Sequence, residues 1–136
     1  MSLDIHGVAP LLQVFDMPTA VHFYRDFLGF EVVHRSPILS ERTDDVNWTM
    51  LRLNGATLML NTAYEPGHRP PAPDPARIAA HSDMGLYFEC PDVDNAFRQL
   101  CEMGVEASEP MVAPYGMKQM YVSDPDGYTL CFQWPA

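Results

Sequence analysis

At 136 residues the chain has enough length for one domain with a sizeable core and too little for two. Its formal net charge of −10 argues against nucleic acid and anionic membrane surfaces, both of which need a basic footprint. No apolar run reaches membrane-spanning length. Cys90, Cys101 and Cys131 lack C-x-x-C spacing and read as free thiols in a reducing compartment, and the N-terminus shows no charged-then-apolar leader, so a cytoplasmic location is expected.

Residues 8–15 read as a strand, with Leu12 and Val14 on one face and Ala9, Leu11 and Gln13 on the other. Asp16-Met17-Pro18 opens a helix, with Asp16 as cap and Pro18 in the first turn. Val21, Phe23, Tyr24, Phe27 and Leu28 share its apolar face, and Gly29 ends it. Phe30 to His34 reads as a second strand and Ser36 to Val46 as a polar loop. Trp48–Leu53 and Thr57–Asn61 are two strands joined by Asn54-Gly55, a strong hairpin signal. Five prolines between Tyr64 and Asp83 then disfavour a helix or central strand before Ala76, leaving a linker or a lid over a pocket.

After this break the pattern restarts. Gly85–Cys90 is a strand, Asp92 opens a helix with Val93, Ala96, Phe97 and Leu100 on one face, Gly104 closes it, and Val105 begins another strand. Met111–Ala113, Lys118–Ser123 and a last strand after Asp124-Pro125-Asp126-Gly127 complete the chain. In that last strand Leu130, Phe132 and Trp134 form a core-like face and Thr129, Cys131 and Gln133 a mixed one. Strand, helix, Gly, strand thus occurs twice, as an internal βαβββ repeat.

The segments Ala20-Val21-His22-Phe23-Tyr24 with Leu28-Gly29-Phe30, Asp92-Val93-Asp94-Asn95-Ala96, Tyr115-Gly116-Met117 and Asp124-Pro125-Asp126-Gly127-Tyr128 span nearly the whole chain. In this order they resemble the vicinal-oxygen-chelate superfamily of glyoxalase I, extradiol dioxygenases and bleomycin-resistance proteins. The resemblance implies an α+β fold: two βαβββ modules curled into a half-open eight-stranded barrel around a cavity, helices packed outside, commonly in a homodimer. The chain would be one domain, 1–136, with module one at about 7–63, the connecting loop at 64–83 and module two at about 84–135.

In glyoxalase-like members His or Glu on the first, fourth, fifth and eighth strands holds a metal. Those places fall here on Ala9, Met59, Gly85 and Cys131. Ala9 and Gly85 carry no donor, so no metal cofactor is expected, and glyoxalase I or extradiol dioxygenase activity is disfavoured. Metal ligation by His68 and His81 through closure of the loop is a minor alternative.

Strand parity puts Trp48, Met50, Arg52, Met59, Asn61, Tyr87, Glu89 and Cys131 on the cavity face, with Tyr115 at its rim. Leu11, Gln13, Thr57 and Gln133 join them, and Gln119 and Tyr121 are weaker candidates. Aromatic, thioether and amide groups suit a small hydrophobic or aromatic ligand, although Trp48 and Met59 also read as core filling and Arg52 and Glu89 as a solvated rim or an internal ion pair. Cys131 has no evident activating base and reads as inert. The expected function is metal-independent binding of a small molecule, bleomycin-resistance-like; an enzyme of the same superfamily (lyase, isomerase or dioxygenase type) is the alternative.

Overall fold

A computed structural model describes all of residues 1–136. The first module runs β1 (Leu11–Val14), α1 (Met17–Val21), a π-helical continuation (His22–Phe27), β2 (Glu31–Arg35), β3 (Trp48–Leu53) and β4 (Ala56–Thr62). After α2 (Pro75–His81), the second runs β5 (Gly85–Glu89), α3 (Val93–Glu102), β6 (Met111–Val112), β7 (Met117–Ser123) and β8 (Thr129–Pro135). Each module builds one four-stranded sheet, and the orders match: β1-β4-β3-β2 and β5-β8-β7-β6. The repeat read from the sequence is therefore a repeat in space.

Local chemistry explains the boundaries. Asp16 caps α1, accepting the Thr19 amide at 3.3 Å. Its carboxylate also receives Arg42, through two nitrogens at 3.1 Å, and Arg69 from the proline-rich segment. Partial burial works to raise this carboxyl, but the two guanidinium groups and Thr19 outweigh it and hold Asp16 well below the ordinary carboxylate range. Asn54 turns the β3–β4 hairpin with φ 50°, as Asn tolerates. α1 packs on β4, and α3 packs on β7 and β8. Leu12, Val14, Leu51, Leu58, Leu60, Met120, Val122 and Leu130 are buried on the helix-covered sides.

Three expectations are corrected. The 64–83 segment contains a helix: Asp74 caps it at the Ala76 amide and Pro75 sits in its first turn, where no hydrogen bond is lost. Val105 opens no strand; the sixth strand is confined to Met111–Val112, just past Pro110. The two expected βαβββ modules are there, their sheets left open toward each other, since no strand of one pairs with a strand of the other. The modules meet instead through their covered sides in one continuous core, where Phe30 meets Phe88 edge-on at 6.2 Å. Trp134, expected in the core, is 40% exposed near the end of β8.

The turn between β7 and β8 joins the modules. Asp124 accepts the Tyr24 hydroxyl at 2.6 Å and the amides of Asp126 and Tyr128 at 2.9 and 2.8 Å. Asp126 accepts the Phe15 amide at 2.7 Å, and the Tyr128 hydroxyl accepts the Gln13 amide at 3.0 Å. α2 lies against the same turn: His81 donates to the Asp126 carbonyl at 2.7 Å and stacks on Tyr128 at 4.0 Å. Burial raises both carboxyls above their ordinary values, Asp126 to about 6.

Two predictions follow from this turn. Gly127 has φ +84°, and a Cβ there would lie 2.7 Å from Ile78 Cγ2 and 3.2 Å from the Ile78 carbonyl. Gly127→Ala is expected to cost about 2 kcal/mol, since it adds backbone strain to the clash. Adding Ile78→Ala should recover part of that loss in thermal unfolding, never all, because the backbone strain and the carbonyl contact stay. For Asp126, the folded pKa of about 6 exceeds the ordinary 3.8. Its contribution to stability is thus complete below pH 3.8 and is lost as pH rises through 6. Asp126→Asn keeps an acceptor for Phe15 and removes the titration. The variant should gain on wild type between pH 4 and 7 by no more than about 3 kcal/mol. A stability difference independent of pH in denaturant titrations would count against this assignment.

Candidate functional site

Residues abreast in a sheet project from the same face, so the strand register assembles the site row by row. On the uncovered face of the first sheet, Gln13, Asn61 and Trp48 form one row; Leu11, Met59 and Met50 form the next. Arg52, abreast of Thr57, extends the face. Trp48, Met50, Met59 and Asn61 are half-buried and Arg52 is exposed. Asn61 donates to Gln13 Oε1 at 3.3 Å, tying β4 to β1 by side chains as well as backbone. The five residues that strand parity selected from this module therefore lie on one surface.

The uncovered face of the second sheet has a row of Tyr87, Cys131 and Tyr121 and a row of Glu89, Gln133 and Gln119. Tyr87 is 59% exposed and Tyr121 39%, while Cys131 between them is 1% exposed. The small thiol is covered by its larger neighbours. Burial pushes its pKa up, with the Tyr121 hydroxyl working in the opposite direction. Tyr115, in the turn before β7, reaches back to Gln119: Gln119 Nε2 lies 2.8 Å from the Tyr115 oxygen and 2.8 Å from Gln133 Oε1. The Tyr121 hydroxyl donates to Gln119 Oε1 at 3.2 Å. Gln119, a minor candidate by sequence, is the buried hub of this face. Gln119 on β7 and Gln133 on β8 would be unremarkable singly; only the register shows them abreast.

No hydrogen bond joins the two faces, and neither Arg52 nor Glu89 has an ion-pair partner, so the internal pair considered for them is not formed. Two pockets lie away from the aromatic and thioether side chains of these faces, the first reaching the edge of one face at Gln13. One, about 20 Å³, sits under α2 between Phe15, Tyr64, Ile78 and His81. The other is an open groove of about 720 Å³ along β2, beside Arg25, His34, Arg35 and Asp44. Arg25 is spent there on Asp44, to which one of its nitrogens donates at 3.0 Å to each oxygen.

The family's metal finds no donor set here. Leu11 is abreast of Met59 and Tyr87 abreast of Cys131; two residues earlier, Ala9 precedes β1 and Gly85 begins β5. The first set offers a thioether, a phenol and a buried thiol with a raised pKa, and the second only Met59 and Cys131, neither being the His, Cys thiolate and carboxylate set a divalent ion takes. No group of three or more His, Cys, Asp or Glu side chains is gathered anywhere to hold a metal ion. His81 is engaged with Asp126 and Tyr128, which takes it out of any pair with His68.

Residues 5–132 match the family model described as Glyoxalase/Bleomycin resistance protein/Dioxygenase superfamily. The chain belongs to this superfamily. Among solved structures, this superfamily member is similar to TnmS3, an antibiotic binding protein from Streptomyces sp. CB03234. The two are 25% identical with a TM-score of 0.70, over 99% of this chain and 100% of that one. A bleomycin-binding protein complexed with bleomycin is 20% identical, with a TM-score of 0.69 over 97% of this chain and 100% of that one. A bleomycin resistance determinant encoded on the transposon Tn5 is also 20% identical, at TM-score 0.70 over 96% and 98% of the respective chains. At that identity the last two speak for the fold alone. No curated protein sequence matches the chain.

Thiol chemistry offers a direct check of the second face. Cys101 is exposed, whereas Cys90 and Cys131 have pKa values raised by burial. Iodoacetamide at pH 8 should alkylate Cys101 first and reach Cys131 at a comparable rate only after unfolding. Rapid modification of Cys131 in the native protein, read by peptide mass spectrometry, would contradict the burial described.

Proposed function

We propose that this protein binds and sequesters a small hydrophobic or aromatic molecule on these two open faces, without a metal. The observation that carries the reading is the set of large side chains held there in ordered rows: Trp48, Met50 and Met59 on one sheet, Tyr87 and Tyr121 on the other. A sheet face meant only for solvent would carry small polar or charged groups; these side chains supply flat, polarisable surface instead. Amides and hydroxyls at Asn61, Gln133 and Tyr115 would fix the ligand's orientation. The similarity to TnmS3, an antibiotic binding protein, supports this choice over an enzyme of the same fold. The donor set at Met59 and Cys131 also supports it.

In a single chain both faces are open to water, with Leu11 45% exposed beside Met59 and Tyr87 59% exposed beside Cys131. A second copy of the chain is the partner we assign to cover them, so that the ligand site is completed in a homodimer.

Titration with N-phenyl-1-naphthylamine, a neutral fluorescent aromatic, tests the reading. Saturable binding is expected, with Trp48→Ala weakening it about tenfold, a loss of about 1.4 kcal/mol. An unchanged affinity in Trp48→Ala would remove the first sheet from the site. The same preparation, incubated with Zn²⁺, Ni²⁺, Fe²⁺, Mn²⁺ and Co²⁺ and dialysed, should retain well under one metal per chain. Close to one equivalent would bring the enzyme reading forward. Light scattering should give twice the mass of one chain.

A further inference from the structure

The polar wall of the second sheet has a direction. An amide side chain offers two N–H donors and one carbonyl oxygen. Gln119, only 6% exposed, spends its donors inward: its Nε2 lies 2.8 Å from Gln133 Oε1 and 2.8 Å from the Tyr115 oxygen. Its own oxygen takes the Tyr121 hydroxyl at 3.2 Å. The Gln133 oxygen is therefore turned toward Gln119, and the planar amide must aim its NH₂ the opposite way. No protein acceptor meets that NH₂: Gln133 has no side-chain hydrogen bond other than the one from Gln119. The Tyr115 hydroxyl is spent on the same amide: it lies 2.8 Å from Gln119 Nε2 and donates to Gln119 Oε1 at 3.1 Å, which fixes how Gln119 faces Gln133.

Gln133 stands one row from Cys131, two residues along the same strand face, which is about 7 Å. The rings of Tyr87 and Tyr121 flank that neighbouring row. A flat ligand lying on the two tyrosines would thus bring its edge to the Gln133 amide. Glu89 is abreast of Gln133 and has no ion pair, so it repels an anionic edge group. We infer that Gln133, aligned by buried Gln119, which Tyr115 in turn clamps, is the specificity-determining donor for a neutral carbonyl oxygen on the edge of a polycyclic aromatic ligand. This rests on the binding reading above and names the class of ligand within it.

Calorimetric titration with 9-fluorenone, fluorene and fluorene-9-carboxylate separates the two. These share one flat tricyclic frame and differ only in what they present at its edge. Fluorenone should bind about five- to tenfold more tightly than fluorene, the usual range for one neutral hydrogen bond, and the carboxylate more weakly than either. Gln133→Met should erase the advantage of fluorenone over fluorene. Tyr115→Phe, at an exposed position, loosens the clamp on Gln119 and should reduce that advantage in part. Equal affinities for fluorenone and fluorene, or a preference that survives both substitutions, would overturn the assignment of Gln133 while leaving a binding site. If none of the three compounds binds, the sequestering function itself fails and the inference with it.

Discussion

The hydrogen bond from the Tyr24 hydroxyl to Asp124 is the contact on which the joining of the two modules depends. Tyr24 is fully buried and Asp124 is 5% exposed, so neither could find water if the other were lost. Asp124 also holds the amides of Asp126 and Tyr128, which shapes the turn that presents Asp126 to Phe15 and Tyr128 to Gln13. One carboxylate thus sets a turn, and the turn fixes where β1 ends relative to the second sheet. The surrounding tyrosines respond to the same charge: burial first, then Asp124, push the Tyr24 hydroxyl far above its ordinary value and keep it a donor.

Because the core lies between the covered sides of the sheets, the opposite faces are free to carry chemistry. The division of labour is visible along single strands. In β3, Thr49 and Leu51 are buried while Trp48, Met50 and Arg52 look outward; in β8, Leu130 is buried while Gln133 joins the polar network. The first sheet offers thioether and indole surface, and the second offers phenol and amide. The overall acidity belongs to neither face's ring surface. It is spread over the exterior, with Asp16 and Asp44 drawn into arginine clusters.

Much of this was legible from the residues because it depends on period and turn chemistry. Alternation in β3 and β4 was enough to put Trp48, Met50, Met59 and Asn61 on one face, and Gly29 and Gly104 ended their helices with φ +91° and +79°. What stayed hidden depends on contacts between distant segments. Asp124 and Asp126 read as ordinary turn residues, since nothing local announces that they are buried against Tyr24 and Phe15. The helix Pro75–His81 was masked by the prolines around it, although Asp74-Pro75 is itself a helix start. The way the two sheets face each other was beyond strand parity altogether, because parity says which face a residue takes and not what that face meets.

The three bonds that staple the modules span 100, 111 and 115 residues of sequence, against strand pairings within each module that are mostly far more local. The entropic cost of closing so long a segment falls sharply once each sheet has formed and shortened the free chain between them. The staple therefore belongs late in folding, after two half-built units exist to be joined. Before it forms, each unit exposes the apolar surface around Phe30 or Phe88 that the other will cover. The interval between these events is when the young chain is most open to the wrong partner, including the matching unit of another copy.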